Sequence, residues 1–138
     1  RSNGATDHWC LRFDNSANKK ILVQHGASAT WDTGIRLSQI QGDWHHITVM
    51  RDGTTQTAWL DNVRANSGAF ATNPVTGTAR FIIGSRYENN TASVFNGSVD
   101  HLRVYNRAAS AQDRDDLFSE MHYTPPQSSA RTWTAYPH

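Results

Sequence analysis

Trp44-His45-His46-Ile47-Thr48-Val49-Met50-Arg51-Asp52-Gly53, continuing through Thr54-Thr55-Gln56-Thr57-Ala58-Trp59-Leu60 to Asp61-Asn62, is the stretch that decides the fold class. Residues 44–51 and 56–60 are rich in β-branched and aromatic side chains, and Asp-Gly separates them. Asp-Gly between two such runs is a hairpin signal, because glycine enters the φ > 0 region without a steric penalty. The spacing therefore predicts an antiparallel hairpin turning at Asp52-Gly53. Asn62 can serve a second turn, since asparagine tolerates the left-handed region better than most residues.

The same period of two extends outward from the hairpin. Trp9, Leu11 and Phe13 alternate with Cys10 and Arg12, and Ile21-Leu22-Val23 forms a short apolar run. Downstream, residues 79–84 and 97–105 read as two more strands. In the second, Val99, His101, Arg103 and Tyr105 share one face, and Asp100, Leu102 and Val104 share the other. Residues 65–77 and 85–96 read as loops rich in Asn, Ser, Thr and Gly. Helix is expected only at 111–121, where Ser110 and Asp113 approach a capping box and Leu117, Phe118 and Met121 form the apolar side. Pro125-Pro126 stops that helix. Many short strands with frequent turns describe an all-β, antiparallel β-sandwich with one short C-terminal helix. Residues 1–123 form one domain and 124–138 a polar tail.

Composition narrows the function. The chain has 138 residues, 37% hydrophobic and 18% charged, with 13 Lys+Arg against 12 Asp+Glu and a net charge of +1. The basic residues are scattered, without the stripe that nucleic-acid binding requires. No apolar run approaches the roughly 20 residues of a membrane-spanning helix, so neither nucleic acid nor membrane insertion is expected. Cys10 is the single cysteine and reads as a packed thiol on a strand. Glycoside hydrolysis needs two carboxylates facing each other across a cleft; here most acids lie in turns or on the helix, and no strand carries a Glu-x-Asp-x-x-Glu arrangement. A Gly-x-Ser-x-Gly nucleophile elbow is also missing from the sequence. The reading is non-catalytic.

Five ordered segments carry a family resemblance: the Trp-His-His strand, the Asp-Gly hairpin, the strand ending at Asp61-Asn62, Ala79-Arg80-Phe81-Ile82-Ile83-Gly84, and Phe95-Asn96-Gly97-Ser98-Val99-Asp100, the last followed by Arg103-Val104-Tyr105-Asn106-Arg107 and the helix. Together they resemble laminin-G-like jelly-roll domains of the concanavalin-A-like lectin and glucanase kind. The resemblance implies a module of a secreted, cell-surface or virion-surface protein that binds a glycan or protein ligand. The alternative is a structural module of an extracellular assembly. It further implies strands ahead of the one matched at residues 9–14, and only residues 1–8 precede it. Residues 99–106 are therefore expected to pair with a neighbouring subunit or with a preceding segment, in a jelly roll lacking its first strands.

Candidate binding residues are loop aromatics with amide neighbours: Trp31, and Tyr87 beside Asn89 and Asn90. Rings stack on pyranose C–H faces while amides hydrogen-bond hydroxyls. Trp9, Trp44 and Trp59 follow strand periodicity and are assigned to the core. His45 and His46 are adjacent on a strand, so they point to opposite faces and cannot chelate one ion together. Asp100, set among apolar strand residues, needs a partner if buried. The resemblance implies a structural Ca2+ there; the alternative from the residues is a hydrogen-bonded Asp held by the Asn96-Gly97 turn, Arg103 or Arg107. His101 stands where the family often has a second acid.

Overall fold

The computed structural model describes residues 9–14, 16–26, 29–70, 83–84 and 95–122. Within them the chain is mostly β, built as two antiparallel three-stranded sheets. The first sheet is a meander of β1 (Trp9–Phe13), β2 (Lys20–His25) and β3 (Ala29–Arg36). A single helical turn, α1 (Leu37–Ile40), leads toward the second sheet. That sheet is the meander β4 (Ile47–Asp52), β5 (Thr55–Leu60) and β6 (Val63–Ala69). Helix α2 (Ala111–His122) follows later. The arrangement is the expected sandwich, represented by part of a domain.

The hairpin at the centre of the sequence forms in the expected place, with Thr48 opposite Trp59 and Val49 opposite Ala58. Its turn is displaced by one residue: Asp52 pairs with Thr55, so the central pair is Gly53-Thr54. Gly53 has φ +57°, which fits the first central position of a type II′ turn. The next hairpin turns at Asp61-Asn62, with φ +49° and +62°, the double left-handed signature of type I′. Asn62 fills the glycine position as its residue type allows.

Cross-strand partners share a face, so the register defines the interior. Val23 pairs with Trp31, and Ile21 and Val23 lie opposite Phe13 and Leu11. Ile21, Val23, Trp31 and Ile35 from the first sheet meet Ala58 from the second, with Phe13, Ile47, Val49, Leu60 and Phe70 packed around them. The close approach of the sheets depends on Gly34. It holds φ +79°, and a Cβ there would lie 2.7 Å from the Ala65 carbonyl oxygen on β6. Asn66 Nδ2 donates to the Asp32 carbonyl at 2.7 Å, binding β6 to β3 across the same gap. Thr33 is fully buried, and its hydroxyl donates to the Ile21 carbonyl (2.7 Å) beside the register shift between Lys20 and Leu22. The hydroxyl satisfies an acceptor near the irregular stretch of the ladder.

Several expectations are corrected. β3 (Ala29–Arg36) is a strand, where a loop around Trp31 is expected, and β6 occupies part of the expected loop at 65–77. The segment 97–105 carries no strand; Val99, Leu102, Val104 and Tyr105 are 52%, 52%, 75% and 51% exposed. Alternation alone does not make a strand without a neighbouring ladder. Trp9 and Trp44, assigned to the core, are 49% and 59% exposed, because β1 is an edge strand and Trp44 precedes β4. The short α1 is a second helix. Residues 79–82 lie outside the described residues.

Helix α2 forms as its caps dictate. The Asp113 backbone N–H donates to Ser110 Oγ (3.1 Å), and Asp113 Oδ2 accepts from the Ser110 N–H (2.7 Å), a reciprocal capping box. The helix meets the second sheet through Arg114, whose guanidinium lies 3.8 Å from the Trp59 ring centroid, and through Asn62 Nδ2 donating to Asp115 at 2.6 Å.

Candidate functional site

A half-open groove of about 360 Å³ lies where the β1–β2 turn meets α1, lined by Ala17, Asn18, Lys19, Arg36, Leu37, Ser38 and Gln41. Two carboxylates outside the lining organise the chain around it. Asp14 Oδ1 accepts from the Ser16 hydroxyl (2.7 Å), the Ser16 N–H (3.2 Å) and the Lys20 N–H (2.8 Å). This Asx-type turn helps to reverse the chain between Asp14 and Lys20, and Lys19 is left at φ +44°. A lysine in that region is uncommon, since its Cβ crowds the following carbonyl. The turn is tied to α1 because the Leu37 N–H donates to the Lys19 carbonyl at 3.1 Å.

Asp32 organises the other wall. Its Oδ1 accepts from the Gly34 N–H at 2.8 Å, and Arg36 grips it with two bonds of 2.9 and 3.1 Å. Lys20 adds an ion pair at 3.5 Å. Arg36 is thereby held in one orientation beside the groove, while Gln39 Oε1 accepts from its backbone N–H at 2.7 Å. The electrostatics follow from these contacts. The Ser16 hydroxyl, with the Lys20 and Ser16 N–H groups, holds the Asp14 carboxyl below the usual range against a smaller opposing effect of burial. For Asp32 burial pushes upward, but the Gly34 N–H, Arg36 and Lys20 together outweigh it and the carboxyl is again lowered. Both are charged at neutral pH. Lys19, Lys20 and Arg36 against Asp14 and Asp32 leave the cluster with one excess positive charge.

The residues expected to bind ligand fare differently. Trp31 sits on β3 at 8% exposure as part of the core, so it offers no stacking face to a glycan. Its burial follows from strict alternation: Trp31, Thr33 and Ile35 point inward, and Asp32, Gly34 and Arg36 point away. Tyr87, Asn89 and Asn90 lie outside the described residues. Asp100 is not buried in an apolar strand; its side chain is 67% exposed, and its carboxylate accepts the His101 N–H at 2.7 Å and contacts the His101 ring at 3.2 Å. Arg103 pairs with Glu120 and Arg107 with Asp113, so neither serves Asp100. Calcium takes six to eight oxygen ligands. Among the described residues no group of three His, Cys, Asp or Glu side chains converges on one point.

His45 and His46, expected on a strand, lie just ahead of β4 and have different partners. His45 Nδ1 lies 2.8 Å from Asp61 Oδ2, and the His46 ring lies 6.0 Å from Phe118. Asp61 Oδ1 also accepts the His46 N–H at 2.9 Å, so the pair pins the type I′ turn to the start of β4. This is a structural role. The groove residues escaped the sequence reading. The signals present were the Asp14-Asn15-Ser16 turn and the spacing of Asp32 from Arg36.

No described helix is long and apolar enough to cross a membrane. Comparison with curated proteins finds no match. Among solved structures, an S-layer domain-containing protein from Clostridium thermocellum is similar at a TM-score of 0.49 and 21% identity. The likeness covers 87% of this chain and 65% of that one. The family model that matches is the laminin-G type described as the concanavalin A-like lectin/glucanases superfamily, and the match runs over residues 1–113. With the two-sheet fold and most of the sequence in agreement, the chain belongs to the concanavalin A-like lectin/glucanases superfamily.

Proposed function

We propose that this chain is a non-catalytic binding module of a larger secreted or surface protein, and that the groove between the β1–β2 turn and α1 is its ligand site. The observation that carries this reading is the groove itself, a volume of about 360 Å³ lined by Asn18, Lys19, Arg36, Ser38 and Gln41 beside Ala17 and Leu37. That volume lies within the roughly 300–1,000 Å³ of small-ligand sites. Family membership supports a glycan as the ligand class, though a fold hosts many functions and the site must carry the argument. Asn18, Ser38 and Gln41 supply the amide and hydroxyl groups that pair with sugar hydroxyls. The test is a glycan array with the full chain, followed by amide chemical-shift mapping of any glycan bound. Shifts clustered at 17–19 and 36–41 support the reading, and shifts confined elsewhere reject the groove.

A second reading, a module of an extracellular assembly, draws on one observation. Residues 99–105 present Val99, Leu102, Val104 and Tyr105 more than half exposed, with no ladder partner among the described residues. A segment with exposed apolar side chains and no ladder partner is open to strand addition by another chain. Light scattering across a concentration series decides it: self-association that Val104→Arg abolishes supports assembly, and a concentration-independent monomer rejects self-assembly.

A further inference from the structure

We infer that the groove selects a carboxylate-bearing saccharide, a uronate-type sugar unit, over neutral glycans; this rests on the binding reading proposed above. Three features of the site point the same way. First, none of the described residues that line the groove is aromatic. Neutral pyranoses rely heavily on ring stacking, so the recognition energy here must come from polar and charged groups. Second, the described lining residues include two cations and no carboxylate. Asp14 and Asp32 lie outside the lining, and each is already engaged: Asp14 by Ser16 and Lys20 backbone, Asp32 by Arg36, Lys20 and Gly34.

Third, the two cations are unequally committed. Arg36 spends two of its donors on Asp32 and is fixed in place. Lys19 stands exposed at the rim on a backbone held at φ +44°. That conformation costs on the order of 1–2 kcal/mol for a residue with a Cβ, where glycine would cost nothing. Strain of this sort at a lined groove marks a side chain whose position matters. A carboxylate entering the groove would pair with the Lys19 ammonium and a remaining Arg36 N–H, while Asn18, Ser38 and Gln41 take the neighbouring hydroxyls. A neutral sugar would leave both cations without a new partner and gain only the hydroxyl contacts.

The test uses the full chain and isothermal titration with oligogalacturonate, the matched neutral galactose oligomer, and inorganic sulfate as a bare anion. The expected result is preference for oligogalacturonate over the neutral oligomer and over sulfate. That binding weakens steeply as salt rises from about 0.01 M to about 1 M, where the Debye length falls from roughly 30 to roughly 3 Å. Lys19→Gly removes the charge and the strain together, so binding should fall about tenfold or more while the melting temperature rises. A loss of affinity in a better-folded variant cannot be blamed on unfolding. Equal binding of the neutral oligomer in the groove, unchanged by Lys19→Gly, overturns the charge selection and leaves the binding reading standing. Sulfate binding as tightly as the sugar acid overturns the saccharide assignment. No shift at 17–19 or 36–41 with any of the three overturns this inference, whereas the glycan array tests the wider reading independently.

Discussion

β6 and the segment 99–105 invert the usual relation between sequence and structure. Val63–Ala69 reads Val-Arg-Ala-Asn-Ser-Gly-Ala, with little apolar character, yet it is a strand paired along its length with β5. Residues 99–105 alternate apolar and polar side chains and form no strand. The difference lies in neighbours. A type I′ turn at Asp61-Asn62 delivers β6 directly onto β5 with the twist that antiparallel pairing needs. Close contact with β3 then holds it, through Asn66 on the Asp32 carbonyl and the bare Cα of Gly34 beneath Ala65. Residues 99–105 have no such turn placing them against an open ladder among the described residues. Strand propensity measures fit to a half-buried pleated surface, so it counts for little where that surface is not supplied.

The comparison can be broken by substitutions on its two sides. Trp31→Ala should be the most damaging, costing about 3–5 kcal/mol in urea denaturation because a large buried ring leaves a cavity between the sheets. A cost below 1 kcal/mol would mean that the two sheets do not share one core. Gly34→Ala comes next, at roughly 2–4 kcal/mol, from the strained φ and from overpacking against Ala65. If Gly34→Ala is neutral, β6 does not approach β3 as closely as 2.7 Å from the built Cβ implies.

Acid should separate α2 from the sheets. The Arg107 guanidinium, with the Ser110 N–H and hydroxyl, holds the Asp113 carboxyl far below the usual carboxylate range. A carboxyl lowered in the folded state stabilises fully above its unfolded pKa of about 3.9 and loses that effect as pH falls through the folded value. Helical circular dichroism should therefore decline at the acid end in the parent. Asp113→Asn, which cannot carry the charge, should show a weaker helix at neutral pH and no further change attributable to this cap in acid. Identical acid profiles would remove the capping box from the account. The smallest effect is expected at Val104→Ser, within about 0.5 kcal/mol, since that side chain is 75% exposed. A larger loss would show that residues 99–105 are covered in solution.

The sequence by itself determined what depends on local chemistry. Period-two alternation identified β1, a short apolar run marked β2, turn residues located both turns of the second sheet to within one position, and Ser110 with Asp113 marked where α2 begins. These features are written in residues a few positions apart, so their energetics do not wait for the rest of the chain. Family membership was legible too, through several such segments in order.

Tertiary structure alone decided which of the alternating segments found a partner. Trp31 became core because β3 is sealed between β2 and the second sheet, a fact no loop-like Ala-Thr-Trp-Asp composition announces. Trp9 carries the same alternation and stays half exposed, because nothing among the described residues fully covers the edge where it lies. The groove belongs to this second class. Asp14 and Asp32 are eighteen positions apart on different turns, and only antiparallel pairing of β2 with β3 brings Lys20 from one to the other. Local propensities act within a few residues, whereas burial and charge clustering depend on which distant residues the fold makes adjacent.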